Sequence, residues 1–315
     1  MSEPSKVTYN IGGIATHIFN SDKLVPYVKK FNEANHPVES IPINVVYLVH
    51  GRTNDYKSTE SAAYTILDQY YKKKTNADDV PLIFITFDIP NHGSRIVNEQ
   101  NNHSWGKNET HAVDMMSIIE GSIQNVKLII DYLPGYLNLD YYLSDEFRRV
   151  NPGLTIKFNN IVGGFSLGGH VAIRYGIKHP EDVIAIAPVI GSSDLTSLFV
   201  TRLKKISNDD KKYFYFNYDE LDLSDQEKLN YPEALHKRIS KQDQTIFENF
   251  PMNKLKLFAA FGGQDTLVPS RFSSVWSESY VTTNDASEIY TDEQAGHEVT
   301  PSMLDKFSSW LARTI

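Results

Sequence analysis

The stretch Asn160-Ile161-Val162-Gly163-Gly164-Phe165-Ser166-Leu167-Gly168-Gly169-His170-Val171 decides how the rest of the chain is read. A short apolar run enters it, a serine flanked by glycines follows, and a helical pattern leaves it through Val171–Lys178. Strand, G-x-S-x-G turn and helix, in that order, make a nucleophile elbow. The turn is so tight that side chains two positions either side of the serine would collide, which is why glycine stands at Gly164 and Gly168. It raises the Ser166 hydroxyl above the sheet and aims the start of the following helix at a reacting carbonyl. Backbone N–H groups there can hold a developing oxyanion, and Leu167 N–H, directly after the serine, is one such donor. The same pentapeptide in a chance glycine loop would carry no chemistry; the flanking strand and helix give it content.

Outward from the elbow, short apolar runs alternate with helical stretches. Val45–Val49, Pro81–Phe87, Asn160–Phe165, Val183–Ile190 and Leu255–Phe261 are too short for average helices and apolar on both faces. That is how central strands of a parallel sheet read when both faces are covered. A last strand falls near Ala286–Tyr290. Helical periodicity fills the gaps at Ser61–Lys74, His111–Leu133, Val171–Lys178 and Pro301–Ala312. The alternation predicts an α/β domain spanning 1–315, with an eight-stranded, mostly parallel sheet and helices on both faces. From about 195 to 250 no strand-like run occurs, and several short helices are expected there as an insertion covering the site as a cap. A surface decoration is the other reading of that segment.

A serine hydroxyl needs a base, and the base needs an acid to orient it. Gly262-Gly263-Gln264-Asp265 follows the run ending at Phe261, which sets Asp265 just past a strand end, at the catalytic edge of a parallel sheet. An N-cap for a following helix is a second role open to it. Ala295-Gly296-His297-Glu298 precedes the final helix, which Thr300 would cap ahead of Pro301. Of the 10 histidines, His297 is the one beyond Asp265, so the order Ser…Asp…His selects it as general base. Asp194, after the run ending at Ile190, is the alternative acid.

An oxyanion hole takes a second donor from the loop after an early strand. Leu48-Val49-His50-Gly51-Arg52 is that loop, with Arg52 N–H as the donor and His50 and Gly51 supporting it. The Arg52 side chain has two readings: an ion pair, the commoner fate of a loop arginine, or a partner for a substrate carboxylate. Asp88-Ile89-Pro90-Asn91-His92-Gly93-Ser94-Arg95 is read as a hydrogen-bonded turn supporting the same edge.

Composition narrows the classes further. The chain of 315 residues carries a net charge of −8, which disfavours nucleic acid as a partner. It has no cysteine, so thiolate catalysis, disulfides and cysteine-ligated zinc are excluded. No apolar run reaches the roughly 20 residues of a membrane span. The polar start Met1–Asn10 lacks the apolar core of a signal peptide, and a cytoplasmic or nuclear location is expected. His103, His111 and Asp114 lack the spacing of a zinc motif, no phosphate-binding loop is present, and neither metal nor cofactor is expected.

The elbow at Ser166, Asp265 after a late strand, His297 before the last helix and His50-Gly51 early together resemble the α/β-hydrolase superfamily, over the chain from about Val45 to its end. More narrowly, Phe87–Arg95, Trp105, His111-Ala112, Asp114-Met115 and Asp131-Tyr132-Leu133-Pro134 look like a fungal and bacterial esterase-like group, distantly similar to the prolyl-oligopeptidase and dienelactone-hydrolase branches. The resemblance implies a serine hydrolase whose substrate is a small-molecule ester or related acyl compound. An uncharged, partly apolar carboxylic ester of small to medium size is the expected class. An amidase, peptidase or thioesterase with the same triad, and a catalytically silent binding protein on the same fold, are the alternatives.

Overall fold

The computed structural model describes residues 4–34, 36–74, 80–206 and 211–315. Among these, eight strands form one sheet: β1 (Lys6–Ile11), β2 (Ile14–Phe19), β3 (Ser40–Val49), β4 (Leu82–Phe87), β5 (Thr155–Phe165), β6 (Ala185–Val189), β7 (Lys256–Gly262) and β8 (Glu288–Asp292). Their order is β1-β2-β4-β3-β5-β6-β7-β8, antiparallel at β1–β2 and β2–β4 and parallel from β4 to β8. The eight-stranded, mostly parallel sheet expected from the sequence is therefore present.

The first two strands are the part not located from sequence. β1 is half exposed and β2 mostly buried, and they meet at Gly12-Gly13, whose φ of 56° and 81° make the tight two-residue hairpin turn. The signal was there: two glycines between Ile11 and Ile14, with alternating exposure along β1. It is weak because an edge strand carries polar residues that read as loop.

Among the described residues ten α-helices accompany the sheet: α1 (Leu24–Lys30), α2 (Tyr56–Lys73), α3 (His111–Leu137), α4 (Asp145–Val150), α5 (Leu167–Lys178), α6 (Leu195–Leu203), α7 (Asp225–Asn230), α8 (Glu233–Asn249), α9 (Ser274–Thr283) and α10 (Pro301–Thr314). Alternate residues of the central strands feed two cores. Val45, Tyr47 and Val49 of β3 face α3 and α5, while Val46 and Leu48 face α2 and α10. Helix α2 begins earlier than its periodicity indicated, because Asp55 caps it by accepting the Lys57 N–H at 2.9 Å. Helix α5 likewise starts at Leu167, immediately after the elbow serine.

The segment between β6 and β7 holds α6, α7 and α8 with a 3-10 turn at Tyr218–Leu221, and residues 207–210 of it lie outside the described set. It is pinned to α5 by a buried ion pair between Arg174 and Asp243. The second carboxylate oxygen of Asp243 accepts Thr196 N–H and Oγ1–H, both at 2.7 Å. No helix among the described residues is long and apolar enough to cross a membrane.

Candidate active site

Ser166 ends β5 with φ 53° and ψ −110°, a backbone conformation that costs energy for any residue with a Cβ. Neighbouring main chain holds it there. Ser166 N–H donates to Val189 O at 2.9 Å, and its carbonyl accepts His170 N–H at 3.1 Å. The glycines on either side are demanded by close approach: a Cβ at Gly168 would lie 2.0 Å from Val49 O, and one at Gly164 would lie 2.4 Å from the Gly168 carbonyl. Leu167 N–H opens α5, where first-turn amides have no acceptor within the helix.

Asp265 and His297 arrive on two loops joined backbone to backbone. Gly263 N–H donates to Asp292 O at 2.8 Å and Gln264 N–H to Ala295 O at 2.9 Å. A Cβ at Gly262 would sit 2.2 Å from Gly296 O, so only glycine lets the loops approach this closely. Thr300 caps α10 through Met303 N–H, with Pro301 first in the helix, as the sequence indicated. The result brings three predicted residues into one line. Ser166 Oγ lies 2.8 Å from His297 Nε2, and His297 Nδ1 lies 2.7 Å from Asp265 Oδ2. The other Asp265 oxygen accepts Leu267 N–H and Val268 N–H, each at 2.8 Å. Burial works against the Asp265 charge. The hydrogen bond from His297 and the two backbone donors outweigh it and hold the carboxyl below its ordinary range.

The early loop lies against the elbow, so close that a Cβ on Gly51 would be 3.5 Å from Ser166 Cβ. Ile89 N–H donates to His50 Nε2 at 3.2 Å, so the ring proton is on Nδ1 and points to Gly51 O at 2.8 Å. Burial pushes the His50 imidazole down to about 4, so it stays neutral and ties β4 to the Gly51 loop. Asn54 N–H closes a turn onto Gly51 O at 3.3 Å, with Thr53 at φ 66°. The Arg52 side chain makes no ion pair among the described residues; its Nη1 donates to Asn102 O at 2.6 Å. The commoner expectation for a loop arginine does not hold there.

The Asp88–Arg95 turn supports this edge. Asp88 accepts Tyr56 N–H at the start of α2 and the Ser94 N–H and hydroxyl, while Arg95 returns to Asp88 O at 2.9 Å. Asp194 does not reach His297. It caps α6 by accepting Ser197 N–H at 2.8 Å. Asp114 collects Asn101, Asn108 and Thr110 and orders the loop before α3. Among the described residues, His179, Glu181 and Asp182 come close enough to hold an ion. They lie beyond the far end of α5, where Lys127 and the Tyr175 hydroxyl already meet Asp182.

A cavity of about 420 Å³ opens over Ser166 and His297. Its walls are Gly51, Arg52 and Asn54, the α2 residues Ser58, Ser61, Ala62 and Thr65, then Phe165 and Ile190, and Glu298, Val299 and Leu304 beside the histidine. Residues 195–250 supply none of the described walls. Their reach toward the site is Arg202 of α6, which sequence reasoning missed: its Nε donates to Leu267 O at 3.2 Å, and Nη2 shares that acceptor. The run Leu195–Leu203 carried no motif that would have singled it out.

No protein-family model matches the sequence, and no curated protein matches it. Solved structures do match in three dimensions. TT1662 from Thermus thermophilus superposes with a TM-score of 0.58 at 13% identity, covering 99% of this chain and 98% of that one. The Pyrococcus furiosus esterase Pf2001 superposes with a TM-score of 0.50 at 15% identity, covering 99% and 92%. With its sheet order, its elbow after β5 and these full-length likenesses, the chain has the α/β-hydrolase fold.

Proposed function

We propose that this chain is a serine hydrolase that cleaves a carboxylic ester through an acyl-enzyme. The observation that carries the reading is the unbroken line from Ser166 Oγ through the His297 imidazole to Asp265, with each link under 3 Å. In this reading Ser166 Oγ attacks the ester carbonyl as His297 Nε2 takes its proton. Asp265 holds the Nδ1–H tautomer and balances the imidazolium. Leu167 N–H and Arg52 N–H face the oxygen that becomes negative. His297 returns the proton to the departing alcohol, and water repeats the sequence on the acyl-enzyme. The fold shared with an esterase agrees with this chemistry.

Fluorophosphonate labelling with intact-mass and peptide mapping tests it. The expected result is one adduct on Ser166, absent from Ser166→Ala and His297→Ala. A folded wild-type protein that takes up no label would refute the activated serine and leave the binding-protein reading.

A further inference from the structure

Ser166 and Ile190 leave neighbouring strands side by side. Phe165 and Val189 are paired across β5 and β6, and the next residue on each strand has a left-handed backbone, φ 53° at Ser166 and φ 47° at Ile190. For the serine the elbow requires it. For a β-branched residue the same φ is rare and costly. Main chain on both sides holds Ile190 there. Its N–H donates to Ala260 O of β7 at 2.7 Å, and the carbonyl just before it, Val189 O, accepts Ser166 N–H at 2.9 Å.

The turned backbone changes where the side chain goes. Along β6, Ala185, Ala187 and Val189 belong to the core on the α2 and α10 side, and Ile186 to the core on the α3 and α5 side. Strand alternation would send residue 190 to the Ile186 side. Ile190 instead stays with Val189, in the core that holds Phe165 and Ala62. The cavity over Ser166 opens on that side, and Ile190, Phe165 and Ala62 are among its walls. A strained, bulky residue kept beside a nucleophile, with its side chain turned toward the cavity, points to a function for that side chain.

The chemistry of acyl transfer says which part of a substrate meets it. The carbon attacked by Ser166 Oγ carries an oxygen, an alkoxy group and an acyl chain. In the proposed hydrolysis the oxygen turns to Leu167 N–H and Arg52 N–H. The alkoxy group must reach His297 Nε2 to be protonated, beside Glu298, Val299 and Leu304. The acyl chain is left the apolar wall of Phe165, Ile190 and Ala62.

We propose that Ile190 sets the length of the acyl group this chain accepts, and that the substrate class is esters of short, unbranched, uncharged acids, acetyl to butyryl. The proposal rests on the hydrolase reading and narrows it. A longer chain meets the branched side chain of Ile190, which has few rotamers to move into and a main chain fixed to β7.

The test follows kcat/KM for p-nitrophenyl acetate, butyrate, hexanoate and octanoate on wild type, Ile190→Ala and Ile190→Val. Ethyl and hexyl acetate, read by pH-stat, vary the alcohol instead. In wild type kcat/KM is expected to fall at least about tenfold from butyrate to octanoate. The octanoate-to-acetate ratio should rise at least about tenfold in Ile190→Ala and by less in Ile190→Val, while the hexyl-to-ethyl ratio stays put. Wild type that prefers octanoate, a ratio that neither variant moves, or rates that fall together at every chain length would overturn the proposal. So would a shift confined to the alcohol series. Fluorophosphonate labelling runs alongside. Ser166 labelled, with no dependence on acyl length, removes the role of Ile190 and leaves the hydrolase intact. No label and no turnover ends the hydrolase reading, and the role of Ile190 falls with it. Melting curves check folding, and should Ile190→Ala fail to fold, Ile190→Val carries the comparison.

Discussion

Asp265 and Asp194 follow neighbouring parallel strands, β7 and β6, at the same edge of the sheet, and both are buried. From sequence alone either position suits the acid of a triad. Their surroundings separate them. Asp265 receives His297 on one oxygen and two backbone N–H groups on the other, and its carboxyl is held ionised. Asp194 receives one backbone N–H, from Ser197, and its Oδ2 has no hydrogen-bond partner among the described residues. Burial and the neighbouring carboxylate of Asp243 push it up to about 7. Strand-end position therefore offers a site for an acid, and the count of converging donors decides whether a charge can live there.

Replacing each acid in turn is the most direct way to break this comparison. In the proposed hydrolysis, Asp265→Asn is expected to lower kcat by about 10³–10⁴-fold, because the amide favours the wrong imidazole tautomer. Asp194→Asn is expected to stay within about threefold of wild type, since it lies off the proton path. Equal losses in steady-state assays would mean that Asp194 acts on His297 after all.

The elements legible in the sequence were those whose signal is local. The elbow announces itself because Gly164 and Gly168 are required by contacts within a few residues and with β3. His297 follows from chain order and from the capped helix behind it. The eight-stranded sheet was legible through β-branched runs buried on both faces, whereas the β1–β2 hairpin, whose edge strand β1 is half exposed, gave only two glycines. The Arg202–Leu267 contact was not legible, because it joins a helix after β6 to a loop after β7. Among its described residues the segment 195–250 holds helices and no strand, and its packing depends on Arg174 and Asp243, which meet only in three dimensions.

That buried pair gives the second test. Asp243→Asn leaves the Arg174 guanidinium inside the protein without its main counterion. Removing one partner of such a pair costs about 3–5 kcal/mol, on the order of 10 °C in Tm. The same change takes away the charge that raises Asp194, so Asp194 should ionise at lower pH. Thermal melts at neutral pH check the first effect. A Tm that does not move would show that Asp194 has taken over Arg174, making the two aspartates interchangeable there in a way that Asp194 and Asp265 are not.

The smallest expected effect is the pH dependence of stability carried by Asp194 itself. Its folded pKa lies near 7, above the ordinary carboxylate value of 3.8, so the folded chain holds a proton that the unfolded chain releases. Its contribution is fully present below about pH 4, declines as pH rises toward 7, and is a constant penalty above that. Asp265, with its depressed pKa, runs the other way and supports the fold more as pH rises out of the acid range. Asparagine at 194 keeps an oxygen for Ser197 N–H and cannot ionise, so it removes the decline. Differential scanning calorimetry should find wild type and Asp194→Asn alike near pH 4 and the variant a few degrees more stable at pH 8. A difference of the same size at both pH values would locate the effect in helix capping at α6 and remove ionisation as the distinction between the two aspartates.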